Sequence, residues 1–413
     1  MKNSIFFIWV GLILFFNTGC EKKTDDDQKN RMKEIALTPV QKSLVQAGNN
    51  FALNLFATIC REEENTPQVF VSPYSVSEAL TMTYNGAAGA TADSISNVLG
   101  YEGMSKEEIN VYCKTLRTAL LTLDPKVQLS IANSIWYRLG FEVQTSFIDV
   151  NKTWFDAAVK ELDFSSPQAP VIINKWIADK TNNRIKDVIH EIDPATVMFL
   201  INAIWFKGMW TNSFDPKNTR EKDFYCLGKT VIIPFMQQDH TFPYYRNDVF
   251  AMAEMPYGKG NYAMLVLLPN EGKKINDILN YLNSDNWAEW KIGLQDKRLK
   301  MEFPKLKFTY KIILNQILSN MGMGIAFTDE ADFSGINPFE DLLISKVLHH
   351  SFLEVNEEGT EAAAVTVVDV EVTSVPNQPE IVPFIVNKPF LFAIHEHSTG
   401  AILFMGMINE PEN

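Results

Sequence analysis

Apolar residues recur along this chain with two different periods, and the switch between them maps its elements. Phe51, Leu55, Phe56 and Ile59 are spaced i, i+4, i+5 and i+8, which predicts a helix with one apolar face. Val69–Val71 is a short strand-like run that breaks at Ser72-Pro73. Glu78–Tyr84 and Asp93–Leu99 return to a helical pattern, with Gly86 and Gly89 marking a turn between them. Leu129–Tyr137 reads as a strand and Val171–Val188 as a helix. Thr196–Phe206 mixes β-branched and apolar residues, as a strand covered on both faces would. Ala253–Pro256 and Asn261–Pro269 alternate like the arms of a hairpin. Gly258-Lys259-Gly260 lies between them, so it is a turn and not a phosphate loop. Helices come first and strands later, without βαβ alternation, which makes the fold class α+β.

One alternating stretch is unusually long. From Thr360 the even positions are Thr360, Ala362, Ala364, Thr366, Val368, Val370 and Val372, all small or β-branched and none charged. The acids Glu361, Asp369 and Glu371 all fall on odd positions. Such segregation is what a half-buried strand requires, yet the run would span roughly 45 Å, against about 5–6 residues for an ordinary strand. Gly359 punctuates its start, and Pro376, Pro379 and Pro383 follow its end. It is a strand by pattern and a surface loop by its boundaries. Long unpaired strands invite aggregation, so keeping one implies a use.

Composition narrows the partners. The 413 residues are 46% hydrophobic and carry a formal charge of −13, with no block of Lys or Arg. A large core is possible at that size, and nucleic acid or an anionic lipid surface finds no clustered cations to bind. Residues 1–19 read as a signal peptide, with Lys2 before the apolar run Ile5–Phe16, which is too short to span a bilayer. Thr18-Gly19-Cys20 resembles a bacterial lipoprotein cleavage site with Cys20 lipidated, although Asn17 stands where Leu is usual. Residues 20–38, with Asp25-Asp26-Asp27, form a polar tether. The expectation is an exported lipoprotein on the outer membrane, at its periplasmic face or the cell surface, held by the lipid alone. Ordinary secretion after cleavage near Gly19 is the alternative.

Enzyme chemistry has little to build on. Cys60, Cys113 and Cys226 are sparse and odd in number, which makes no disulfide framework, and no CxxC pair occurs. There is no G-x-S-x-G elbow and no H-E-x-x-H motif. His395 and His397 share a face at i, i+2 without a third obvious ligand. Neither a metal nor a cofactor is expected.

Several strings carry a family resemblance. Glu357-Glu358-Gly359-Thr360-Glu361-Ala362-Ala363-Ala364-Val365-Thr366 resembles the hinge of the reactive loop in inhibitory serpins. Asn387-Lys388-Pro389-Phe390-Leu391-Phe392 resembles the return of that loop into the second sheet, and VFVSPYSVSEALTMTYNGAAGATADSISNVLG and NAIWFKGMWTNSFDPKNTREKDF match further family strings. Phe303–Phe308 and Ala331-Asp332-Phe333-Ser334-Gly335 add a later strand and turn. The likeness covers residues 45–410 and is to a bacterial serpin of inhibitory type.

It implies a serpin domain over residues 39–413 with three β-sheets, about nine helices and an exposed reactive loop near 357–386. It places Ser72, Ser75, Asn202 and His349 in a polar cluster where the central sheet opens, with Trp210 where the loop first inserts. The hinge is Glu357 to Ala364. The scissile bond falls sixteen residues past Glu357, at Thr373–Ser374, while counting back from Asn387 points nearer Gln378; Val372 and Val375 stay open. The implied activity is suicide inhibition of a protease by a monomer. Small Thr373 suits elastase-like serine proteases, with papain-like cysteine proteases as further targets. No Lys or Arg occurs between Glu354 and Asn387 to anchor a trypsin-like enzyme. A non-inhibitory serpin, acting as a carrier or surface interaction lipoprotein, is the alternative.

Overall fold

A computed structural model describes residues 32–360 and 380–412. The chain divides into Met1–Met32 and Lys33–Asn413. Of the first unit only Met32 is described, and every helix and strand named below belongs to the second. The expected signal peptide, Cys20, most of the tether, and Glu361, Ala362, Ala363, Ala364, Thr373 and Ser374 lie outside the described residues.

The α-helices are α1 (Pro39–Glu62), α2 (Pro73–Tyr84), α3 (Gly89–Leu99), α4 (Lys106–Thr122), α5 (Thr145–Phe155), α6 (Gln168–Lys180), α7 (Ile275–Leu279), α8 (Ser284–Ile292) and α9 (Asn315–Leu318). The first eight strands are β1 (Gln68–Val71), β2 (Val127–Arg138), β3 (Ala158–Leu162), β4 (Met198–Met209), β5 (Arg220–Tyr225), β6 (Thr230–Arg246), β7 (Phe250–Tyr257) and β8 (Tyr262–Pro269). The remainder are β9 (Gln295–Pro304), β10 (Leu306–Ile313), β11 (Leu348–Asn356), β12 (Gly359–Thr360), β13 (Val382–Ile385), β14 (Phe390–Glu396) and β15 (Ile402–Ile408).

Local chemistry sets the helix ends. Thr38 with Gln41, and Ser105 with Glu108, form reciprocal capping boxes that satisfy backbone donors otherwise left bare. Ser72 caps α2 by accepting from the Ser75 amide, and Pro73 follows with its φ already set for a helix. The helix expected through Val188 stops at Lys180 instead. Asn182 and Asn183 take positive φ, and the Asn174 side chain accepts from the amides of Val188 and Ile189. Ile185, Val188 and Ile189 still pack against the small core under α6, from irregular chain. Their helical spacing was therefore a packing signal without being a helix.

Six strands form one sheet in the order β10-β11-β12-β4-β2-β3. A second network runs β1-β15-β14-β8-β7-β6-β9-β13, with β5 also on β6. Among the described residues, the ladders of its halves are joined where Tyr244–Arg246 of β6 pair with Ala251–Ala253 of β7. The three expected sheets are thus the six-stranded one and two others fused at a corner, because the 17-residue β6 serves both. Phe199 and Ile201 of β4 pack with Ile173 and Ile177 of α6, while Ile204 and Phe206 join the main core with Val76 and Leu80 of α2. Both faces of β4 are covered, as its composition predicted. The six-stranded sheet lies between α6 and α2.

Candidate functional site

Two sites lie along the seam between β4 and β11. The first lies above α2, at Asn202 within β4 and His349 near the start of β11. Ser72 is fully buried at the N-terminus of α2, where its hydroxyl donates to the Leu403 carbonyl at 2.7 Å and its amide donates to His349 Nε2 at 3.1 Å. His349 sits on β11, so this bond ties β11 to α2. One turn on, the Ser75 hydroxyl donates to Asn202 Oδ1 on β4. The cluster therefore holds one helix to both strands that would have to part. Because Nε2 accepts, the ring proton of His349 is on Nδ1. Burial, with His350 alongside, pushes the His349 pKa down to about 3, so the ring is neutral.

Asn202 continues inward. Its amide donates to Asn133 Oδ1 on β2 at 2.7 Å, and Asn133 donates to Glu78 Oε2 at 3.1 Å and to the Phe155 carbonyl at 2.9 Å. Sequence reasoning missed Asn133 and Glu78, although an amide in the middle of the strand-like run Leu129–Tyr137 and a carboxylate at the start of an apolar helix were both visible.

The second site is the hinge. Glu357 and Glu358 form a tight turn between β11 and β12, which pairs Val355 with Thr360 and Asn356 with Gly359. On its other side β12 pairs Gly359 with Met209 and Thr360 with Gly208 of β4. The hinge is thus already a two-residue strand lying between β11 and β4. Gly359 has φ 148°, and a Cβ there would sit 2.0 Å from the Gly208 carbonyl oxygen, so only glycine fits. Thr360 is buried, and its hydroxyl meets the Tyr257 hydroxyl at 2.7 Å.

Trp210 seals this end. Its ring stacks on Tyr257 with centroids 4.3 Å apart, and its Nε1 donates to the Asn356 carbonyl at 3.0 Å. Its amide donates to the Glu358 carbonyl at 2.8 Å. The Glu357 carboxylate meets Lys305 Nζ at 3.0 Å and accepts from the Thr219 hydroxyl at 2.8 Å. Burial alone would raise its pKa, but these two partners outweigh it and hold the carboxyl below the usual range.

The structure thus brings Ser72, Ser75, Asn202 and His349 together and places Trp210 apart, beside Gly359 and Thr360. Tyr257, Lys305 and Thr219 were not anticipated. Tyr257 sits in what reads as an ordinary hairpin arm, and nothing in the chain links it to a residue 103 positions away. His395 and His397 both face Glu254, with Nε2 of the first 3.2 Å and Nδ1 of the second 3.6 Å from its carboxylate oxygens. Burial holds the His395 pKa below its ordinary value, while the Glu254 hydrogen bond raises that of His397.

A family model described as serpin (serine protease inhibitor) matches residues 46–411. The chain belongs to the serpin family. An uncharacterised serpin-like protein of Thermococcus kodakarensis is 34% identical over 90% of this serpin and 87% of its own length. Human neuroserpin is 31% identical over 85% and 87%. Among solved structures, the thermophilic serpin tengpin in its native state superposes with TM-score 0.82 at 29% identity, covering 92% of this chain and 96% of that one. Human thyroxine-binding globulin, solved with thyroxine, gives 0.81 at 29%, covering 91% and 100%. The family's fold is that of a protease inhibitor, and a globulin that binds thyroxine shares it.

Proposed function

We propose that this serpin is a suicide inhibitor of proteases that prefer small residues. One observation carries the reading: Gly359 and Thr360 already pair between β11 and β4, so the hinge has the register of a strand entering the sheet. With Thr360 inward, period 2 turns Ala362, Ala364, Thr366, Val368, Val370 and Val372 inward in an extended β12 and the acids outward. Small inward side chains avoid the overpacking cost of about 1–3 kcal/mol each that larger ones would bring.

In the proposed reaction the protease serine attacks the Thr373 carbonyl, an ester forms, and the Thr373–Ser374 amide breaks with its proton on the Ser374 amine. The freed hinge side then adds to β12 along β4. Strand addition by loop insertion is a named device of this family. Seven inward side chains and about a dozen ladder bonds give a gross gain on the order of 10–20 kcal/mol, withheld until cleavage.

Incubation with pancreatic or neutrophil elastase tests this. A denaturant-resistant complex with a peptide released from after Thr373 supports it. Clean cleavage with no complex would replace it with the carrier reading, and a complex formed best with trypsin would move the scissile bond. Papain gives the same assay for cysteine proteases. We also propose that Cys20 anchors the chain to the bacterial outer membrane; the Gly19-Cys20 motif supports this, and Cys20→Ser is expected to release the protein from membranes.

A further inference from the structure

The cluster under the sheet does not end at Asn202. Its hydrogen bonds run head to tail from Ser75 through Asn202 and Asn133 to the Glu78 carboxylate, and Asn133 and Asn202 are cross-strand partners. Glu78 also receives the Tyr74 hydroxyl at 3.1 Å and Arg117 Nη1 at 3.2 Å. Arg117, on α4, donates through Nη2 to the Trp154 carbonyl at 2.6 Å and to Asp156 at 3.0 Å, just past α5. Glu78, Arg117 and Asn133 are each 2% exposed, whereas the Asp156 side chain is 69% exposed. The chain of bonds reaches from the seam to the surface.

An ionised carboxylate can only accept. Together with the Phe155 carbonyl, which accepts from Asn133 at 2.9 Å, it fixes the Asn133 amide with its NH₂ towards Glu78 and its oxygen towards Asn202. That in turn fixes Asn202 with its oxygen towards Ser75. Two acceptors at one end, one of them charged, thus set the polarity of every bond up to β4. A buried ion pair is no efficient source of stability, since apolar residues of similar volume do as well or better. Its placement under the seam calls for another role.

We propose that Glu78, Arg117 and Asn133 are positioning residues for sheet opening, orienting Asn202 and Ser75 so that β4 stays closed until the loop enters. This rests on the loop-insertion reading of the hinge. Weakening the carboxylate's hold speeds opening, because Asn133 is then oriented by the Phe155 carbonyl alone and holds Asn202 and Ser75 less firmly.

The test is uptake of a synthetic peptide with the sequence of residues 360–372 by the full-length chain in detergent, followed on native gels. It involves no protease. Glu78→Gln keeps the shape but adds a donor, and Glu78→Gln/Arg117→Met also removes the orphaned cation. Both are expected to take up peptide about fivefold faster than the unaltered chain, the equivalent of one hydrogen bond. Asp156→Ala, at the exposed end, is expected to give a rise of about twofold. Leu279→Ala lowers stability from α7, away from the seam, and is expected to leave the rate unchanged. Network variants no faster than Leu279→Ala overturn the proposal; if the buried variants fail to fold, an unchanged Asp156→Ala overturns it. An unaltered chain that takes up peptide but traps no protease refutes inhibition and leaves this inference standing. One that takes up no peptide refutes the inference as well.

Discussion

At the hinge end of the seam, β4 and β11 are joined through backbone: β12 pairs with both, and Trp210 and Phe214 donate their amides to the Glu358 and Glu357 carbonyls. Farther from the hinge along the same strands, within β4 and near the start of β11, the ties are side chains, with Ser72 reaching His349 and Ser75 reaching Asn202. Among the described residues, no ladder joins β4 to β11 directly. The difference has a physical reason. Backbone groups at the hinge end are already paired through Gly359 and Thr360, so the proposed extension of β12 would leave them undisturbed. Polar side chains in the middle can trade one partner for another, whereas a packed apolar plug would have to be expelled. On the proposed insertion, one end would serve as a template and the other as a latch.

Thr360→Arg should break the template most severely. Thr360 is 4% exposed and, among the described residues, its hydroxyl meets the Tyr257 hydroxyl and no carboxylate. An unpaired buried cation costs several kcal/mol, so β12 would leave the sheet and the loop would not follow. The expected outcome with elastase is at least about a tenfold shift from trapped complex to cleaved inhibitor, since tenfold needs only about 1.4 kcal/mol. An unchanged ratio on denaturing gels would show that the Thr360 pairing does not guide insertion.

Trp210→Ala comes next. It removes the stack on Tyr257 and the Nε1 bond to Asn356, and large aromatic truncations of buried sites cost about 3–5 kcal/mol. Thermal unfolding should shift accordingly. Because the template is backbone, amide exchange at Gly359 and Thr360 should rise less than at the latch. If those two amides become the most exposed, aromatic packing holds the hinge and the contrast fails.

How much of this was legible depends on range. The hairpin around Gly258 is a local pattern, and periodicity alone exposes it; the alternation from Thr360 to Val372 lies, past Thr360, outside the described residues. Thr196–Phe206 read correctly as covered on both faces because its residues are almost all β-branched or apolar, and the amide of Asn202 in their midst finds its partners in Ser75 and Asn133. Val171–Val188 misled because Ile185 and Val188 keep helical spacing while Asn182 and Asn183 turn the backbone left-handed. Ser72, Ser75, Asn202 and His349 became a group only through family resemblance, since 277 residues separate Ser72 from its imidazole partner. Glu78 and Arg117 were lost for the same reason. A buried charge in one helix names no partner until packing supplies the other.

The latch should respond to acid. His349 keeps its folded pKa near 3 against an unfolded value of about 6.5, so the unfolded chain binds a proton that the folded chain refuses. Its contribution is fully present above about pH 6.5, is lost progressively as pH falls towards 3, and reaches about 2 kcal/mol of destabilisation at pH 5. His350, with its pKa near 4, and His395 shift in the same direction, so the comparison that isolates the latch is with His349→Gln. That variant should lose less thermal stability between pH 7 and 5. Equal losses would mean that the Ser72–His349 bond is not the acid-sensitive part of the seam.

The smallest effect belongs to the Glu357–Lys305 ion pair at the hinge. Glu357 meets Lys305 at 3.0 Å, but the lysine side chain is 38% exposed, and half-solvated pairs contribute about 0–1 kcal/mol. Glu357→Gln keeps the bond from Thr219 and the two-residue turn, so stability should fall by less than about 1 kcal/mol. High salt should narrow even that difference, because the carboxylate's depressed pKa reflects partners open to screening. Elastase trapping should barely change, since the carbonyls of Glu357 and Glu358, and not their side chains, receive the amides of Phe214 and Trp210. If Glu357→Gln instead weakened trapping as much as Thr360→Arg, the hinge would be held by charge. The template would then be a second latch, and its backbone pairing a consequence of the ion pair.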